Sequence, residues 1–222
     1  MSLREFRDRL ARRARKADVA LTPDVADGLE RYFQLLTKWN EKINLTAFRL
    51  QCGGSDESID RLLIEPLIAA THLPSDARQG VDIGSGGGSP GIPLKLMVPG
   101  VRMRLVESKT RKAVFLREAV RDLGLRDISV ETSRFEELLT RPELHEALDI
   151  VTVRAVRIEP RTLVSLQAFL RPGGLMLLFR GAGGTDLANS ITPPLSLTAT
   201  YPLVESLRSR LVVLTKTSIG RH

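Results

Sequence analysis

Four glycines occupy positions 84, 86, 87 and 88 of the run Val81-Asp82-Ile83-Gly84-Ser85-Gly86-Gly87-Gly88. So many glycines admit positive φ and let backbone N–H groups approach a ligand closely. The run follows an apolar stretch suited to a strand and precedes one suited to a helix, the setting a nucleotide-binding turn needs. Gly84 and Gly86 are therefore candidate cofactor contacts. A dinucleotide fingerprint wants G-x-G-x-x-G with a pyrophosphate on the helix N-terminus, yet counted from Gly84 its third glycine is Ser89. Asp82, just before the turn, would repel a pyrophosphate. It suits the sulfonium and ammonium of S-adenosylmethionine, which makes that cofactor the expectation and an NAD-dependent oxidoreductase the alternative. Glu107 stands 23 residues after Gly84, at the end of the next apolar run, where a carboxylate can accept both ribose hydroxyls.

Other chemistries lack their residues. Cys52 is the single cysteine, and His72, His145 and His222 are scattered, so no disulfide framework and no metal site is expected. Lys and Arg number 33 against 26 Asp and Glu, a formal charge of +7 that favours a polyanionic partner, nucleic acid ahead of an anionic membrane. Leu3 to Ala17 concentrates Arg4, Arg7, Arg9, Arg12, Arg13, Arg15 and Lys16 on a helix-like apolar spacing, a dense positive face for RNA phosphates or a plain solvated surface.

These residues need elements to hold them. A hydrophobic content of 42% with 27% charged residues fits a globular chain, and no apolar run approaches a membrane span. The basic start lacks the apolar stretch of a signal peptide, so a cytoplasmic protein is expected. Thr22-Pro23-Asp24 reads as an N-cap opening a second helix whose apolar stripe ends near Trp39-Asn40. Cys52 to Asp56 reads as a flexible linker, and Ile59 to Thr71 as a short helix. Residues 1–75 form an N-terminal helical extension and 76–222 the main domain.

From Gly80 onward, short apolar runs alternate with helical stretches. Strands are expected at 81–83, 103–106, 128–130, 150–153, 175–179 and 211–214, and helices at 92–98, 109–123, 135–139 and 160–169. The alternation implies an α/β fold with a mostly parallel sheet covered on both faces. Around Pro193-Pro194, Leu195, Leu197 and Tyr201 hint at an edge strand.

Trp39-Asn40-Glu41-Lys42-Ile43-Asn44-Leu45-Thr46-Ala47, the turn continuing through Ser89-Pro90-Gly91-Ile92-Pro93-Leu94, and Glu107-Ser108-Lys109 with Arg111-Lys112 and Phe115-Leu116 together resemble the bacterial small-subunit (16S) ribosomal RNA guanine-N7 methyltransferases, the glucose-inhibited division protein B family. The resemblance covers most of the chain. It implies a class I (Rossmann-like) S-adenosylmethionine-dependent methyltransferase, with ribosomal RNA or the small ribosomal subunit as partner. It places cofactor contacts on Gly84, Ser89, Glu107, Ser108, Lys109, Phe135, Glu136 and Arg154. Where the family shows Ser-Arg-Ala and Lys-Gly, this chain has Val153-Arg154-Ala155 and Arg180-Gly181, which keeps the charges. Where it shows Arg-His and then Asp-Ser, this chain has Arg61-Leu62-Leu63-Ile64-Glu65-Pro66, without the histidine. Guanine N7 bears a lone pair and no proton, so positioning by groups such as Arg154 and Arg180 is expected rather than a catalytic dyad. RNA phosphates are expected on the first helix and on Arg154, Arg157 and Arg180. A relative that binds RNA without turning over is the other alternative.

Overall fold

The computed structural model describes residues 3–154, 159–183 and 191–218. Apolar runs become seven strands of one sheet: β1 (Gln79–Ile83), β2 (Arg102–Val106), β3 (Ile128–Glu131), β4 (Leu148–Arg154), β5 (Leu170–Arg180), β6 (Leu195–Pro202) and β7 (Arg210–Lys216). Their order is β3-β2-β1-β4-β5-β7-β6. The first five pair in parallel, while β7 runs antiparallel to both β5 and β6. The order reverses at β1, which lies between β2 and β4, and ligands of such sheets bind at the carboxyl ends of the strands beside that switch point. The glycine turn, Glu107 and Arg154 all sit at those ends.

Both faces of the sheet are covered, so its central strands are apolar on both sides. Leu177 and Phe179 of β5 belong to one core, and Met176 and Leu178 to the other. Helices α7 (Phe135–Leu138) and α8 (Pro160–Leu166) place Leu138, Leu163 and Leu166 in the second core. The first core is larger. It takes Ile92 of α5 (Gly91–Met97) and Phe115 of α6 (Thr110–Asp122), and continues into the N-terminal helices through Phe6, Leu10, Leu29, Phe33, Leu63 and Leu67.

Helix α1 spans Leu3–Lys16 and α2 Pro23–Asn40, the latter capped by Thr22 Oγ1, which accepts the Val25 N–H at 3.3 Å. Two expectations about this region are corrected. The stretch from Cys52 is no loose linker: Gln51–Gly53 forms a 3-10 turn, and Ser55 caps α3 (Asp56–Ile59) by accepting the Ser58 N–H at 3.1 Å. The helix therefore starts earlier than its apolar residues suggest, and a π turn at Asp60–Ile64 joins it to α4 (Glu65–Ala70). The positive face of α1 is also thinner than its composition. Arg7 pairs with Asp27 and Glu30, Arg9 with Asp56, and Arg13 with Asp60. Arg4, Arg12, Arg15 and Lys16 remain exposed.

The hint of an edge strand becomes β6, eight residues long, and Tyr201 on it stacks against His72 at 3.7 Å between ring centroids. Strand β5 begins at Leu170, ahead of its apolar centre, where Leu170 pairs with Leu148 of β4 across a register shift, while β7 pairs with Leu175–Arg180 alone. Among the described residues no helix is long and apolar enough to cross a membrane. Arg157, Ala155 and His222 lie outside the described residues.

Candidate active site

The turn after β1 is held from several sides. Ser85 donates its N–H to the Val106 carbonyl at 2.9 Å, and its hydroxyl donates to the Asp82 carbonyl at 2.9 Å. Gly84 adopts φ 68°, open to few side chains. Gly88 adopts φ 92°, where a β-carbon would also stand 2.6 Å from Ile92 Cδ1, so no other residue fits. Tyr32 of α2 donates its hydroxyl to the Gly87 carbonyl at 2.6 Å. Asn40 orders the loop that follows α2: its Oδ1 accepts the N–H groups of Leu45 and Thr46 at 2.9 Å each, and its Nδ2 donates to the Phe48 carbonyl at 3.2 Å. The Trp39–Ala47 segment is thus one wall of the site, built on a single asparagine.

A cleft of about 600 Å³ opens between this loop and the glycine turn, within the range of cofactor sites. Gly84, Gly86, Ser89, Glu107 and Arg154 line it. A smaller recess of about 170 Å³ is lined by Ser108, Ser133, Arg134, Phe135 and Glu136, and Gly84 belongs to both. Glu107, buried at the end of β2, accepts the Gly86 N–H at 2.9 Å and the Lys109 N–H at 2.7 Å. Each bond uses one carboxylate oxygen, so both keep a lone pair for a ligand hydroxyl. Lys109 therefore supports Glu107 through its backbone, and its side chain is exposed.

Asp82 does not line the cleft. It is fully buried on the face covered by α5, where Oδ1 accepts the Thr152 hydroxyl at 2.7 Å and Oδ2 has no partner among the described residues. Burial pushes its carboxyl up to about 6, although Thr152, Ser85 and the Arg154 charge pull the other way. Gly91 packs on it so closely that a β-carbon there would stand 2.9 Å from Oδ2.

Arg154 ends β4 and lies over the Phe179 ring, 4.3 Å from its centroid. One Nη2 bond reaches Glu65 Oε2 at 3.0 Å, and Nη1 donates to the Arg61 carbonyl and towards Ser89 Oγ at 3.4 Å. Burial lowers its pKa from the ordinary value, opposed by the Glu65 and Asp82 carboxylates. Ser89 in turn donates its hydroxyl to the Leu62 carbonyl at 2.8 Å. Sequence reasoning gave Phe179 and Tyr32 no role in the site, and took Arg61 and Glu65 only as part of the segment that departs from the family's Arg-His and Asp-Ser pattern. A signal for that pair was present, since Arg61 and Glu65 stand at i,i+4 spacing. Arg180 ends β5 and is not among the residues that line the cleft, whereas its neighbour Gly181 is.

A fold of this strand order with a glycine turn, an acid after β2 and a two-part cleft at the switch point is a Rossmann-like one of the kind that binds nucleoside cofactors. Among solved structures, a SAM-dependent methyltransferase from Aquifex aeolicus is similar in fold, with TM-score 0.53 and 11% identity over 74% of this chain and 94% of that one. The family model for rRNA small subunit methyltransferase G matches residues 26–192, and the chain belongs to that family. A ribosomal RNA small subunit methyltransferase G from Carboxydothermus hydrogenoformans is 39% identical over 155 residues, 69% of this chain and 64% of that protein. One from Xanthomonas oryzae is 36% identical over 182 residues, 74% of this chain and 81% of that protein. The match to the first of these relatives thus spans just under two thirds of its length.

Proposed function

We propose that this protein transfers the methyl group of S-adenosylmethionine to N7 of a guanine in the 16S ribosomal RNA of the small subunit. The observation that carries the reading is the two-part cleft, with Glu107 holding the glycine turn on the side where the cleft and the recess meet. Phe135, Glu136 and Ser108 would hold the adenine in the recess, and Glu107 would take the ribose hydroxyls. Gly84, Gly86 and Ser89 would hold the amino-acid part, and Arg154 would take its carboxylate. Asp82 acts from behind, fixing the turn through Thr152 and adding negative potential under a cationic ligand. When bound, the cofactor supplies an electrophilic methyl on a sulfonium, and the chain's residues hold the guanine in line with it. No side chain is asked to remove a proton, since the attacking nitrogen carries none.

Phosphates of the RNA meet Arg4, Arg12, Arg15 and Lys16 on α1 and the charges of Arg61 and Arg180 around the cleft. Residues 1–75 form the RNA-facing helical extension, and 76–222 the cofactor domain. The working compartment is the cytoplasm, where small subunits are found. Transfer of tritiated methyl groups to small subunits from a strain lacking the enzyme, with mass-spectrometric mapping of the base, tests the reading. Label on one guanine as 7-methylguanine is the expected result. RNA binding with no label, or label on another atom, overturns it.

A further inference from the structure

Glu65 is one of the least exposed charged groups of the molecule, its side chain 2% accessible, and both its oxygens are engaged. Oε1 accepts Arg61 Nη1 at 3.1 Å, and Oε2 accepts Arg154 Nη2 at 3.0 Å. Two guanidiniums that both line the cleft are therefore joined by a single buried carboxylate. The π turn at Asp60–Ile64 supplies the other half of the device, because the carbonyl of Arg61 within it accepts Arg154 Nη1. Arg154 is thus fixed on one side by Glu65, on another by the π turn, and across its plane by Phe179. Its Nε is buried and has no partner among the described residues.

We propose that Glu65 is a positioning residue for the cofactor: by pairing with both Arg61 and Arg154 it offsets their mutual repulsion and orients the Arg154 guanidinium towards the carboxylate of the amino-acid part. The inference rests on the cofactor reading above. Without the anion, two cations would face each other in a desolvated cleft, where their repulsion is screened little. Arg154 would then turn off the Phe179 ring and lose its aim, while the adenosine recess, lined by other residues, would keep its shape.

Calorimetric binding of S-adenosylhomocysteine and of adenosine to the full chain and to Glu65→Gln tests this. Adenosine lacks the amino-acid part, so it reports whether the recess is intact. Glu65→Gln should weaken S-adenosylhomocysteine by about tenfold or more, the scale of one charge-assisted hydrogen bond, and change adenosine less than about twofold. The double variant Glu65→Gln with Arg61→Met removes the second cation and should recover part of the loss. Equal loss for both ligands would mean that Glu65 only holds the fold, and unchanged binding of both would mean that it does nothing for the cofactor; either overturns the proposal. Should Glu65→Gln not fold, Glu65→Asp must show the same selective loss, smaller in size, and an unselective one counts against it. If the unaltered chain binds adenosine but gains nothing from the amino-acid part, the positioning proposal falls while a nucleoside site stands. If it binds neither, the cofactor reading itself is wrong.

Discussion

Asp82, expected from the sequence to meet the cofactor, is instead a buried carboxylate behind the glycine turn. Its place beside the glycine turn was legible, but the alternation of β1 turns its side chain away from the cleft, to the face where Gly91 and Thr152 enclose it. Because the folded protein raises its pKa from 3.8 to about 6, folding favours the protonated form. The stability contributed by that proton is complete below the unfolded pKa near 4 and is lost as pH rises through about 6. A shift of this size corresponds to roughly 2–3 kcal/mol. Asp82→Asn stays neutral and keeps an acceptor for Thr152, so it should escape this loss. In urea titrations between pH 4 and 7, the stability of the variant relative to the parent should improve by that amount. Parallel pH dependence in the two proteins would refute the assignment.

Helix α1 divides into two sets of cations with different work. Arg13 reaches Asp60, whose side chain is 2% accessible, so Arg13→Ala leaves a buried charge without its partner and should cost about 3 kcal/mol. Thermal melting of that variant checks it. Arg12 and Arg15 are exposed, and reversing both to Glu should leave the melting point nearly unchanged. The same variant should bind ribosomal RNA more weakly, with the slope of log K against log salt reduced by about 1.5 for two lost phosphate contacts. An unaltered slope would remove α1 from the RNA surface. The helix itself was legible from its apolar spacing, and so were α2 with its Thr22 cap and the strands β1 to β4 within a few residues. The partition of its charges was not, because Asp56 and Asp60 lie more than forty residues away in the chain. The π turn was equally hidden: nothing in the residue types of Asp60 to Ile64 marks it, and Leu62, Leu63 and Ile64 are buried within it. The edge strand β6 was only hinted at, because its residues alternate without a continuous apolar run and its pairing with β7 is a tertiary fact.

The expected division at residue 75 does not separate two cores. The core that begins with Phe6 and Leu10 in α1 continues without a break through Leu63 and Leu67 to Leu105, Ile150 and Leu177 of the sheet. Removing residues 1–75 would uncover the sides of α5 and α6 that pack on α2 and α4, including Phe115 under Trp39, and would strip Phe6, Leu10, Leu29, Phe33, Leu63 and Leu67 from that core. It would also remove Tyr32 from the Gly87 carbonyl and Leu36 from the turn, where a β-carbon on Gly87 would stand 3.2 Å from Leu36 Cδ1. A chain of 76–222 is therefore expected to lose its fixed packing while keeping helix and strand content, since α5 to α8 and the strand pairings lie within it. Far-ultraviolet circular dichroism should persist, the near-ultraviolet signal should vanish, and a dye that reports exposed apolar surface should bind. A cooperative thermal transition of this fragment, with S-adenosylhomocysteine still bound, would instead establish the cofactor domain as an independent unit. The N-terminal helices also complete the cleft beside the glycine turn, so if they meet the RNA as proposed, RNA and cofactor should report on each other through α2, the Asn40 loop and Glu65.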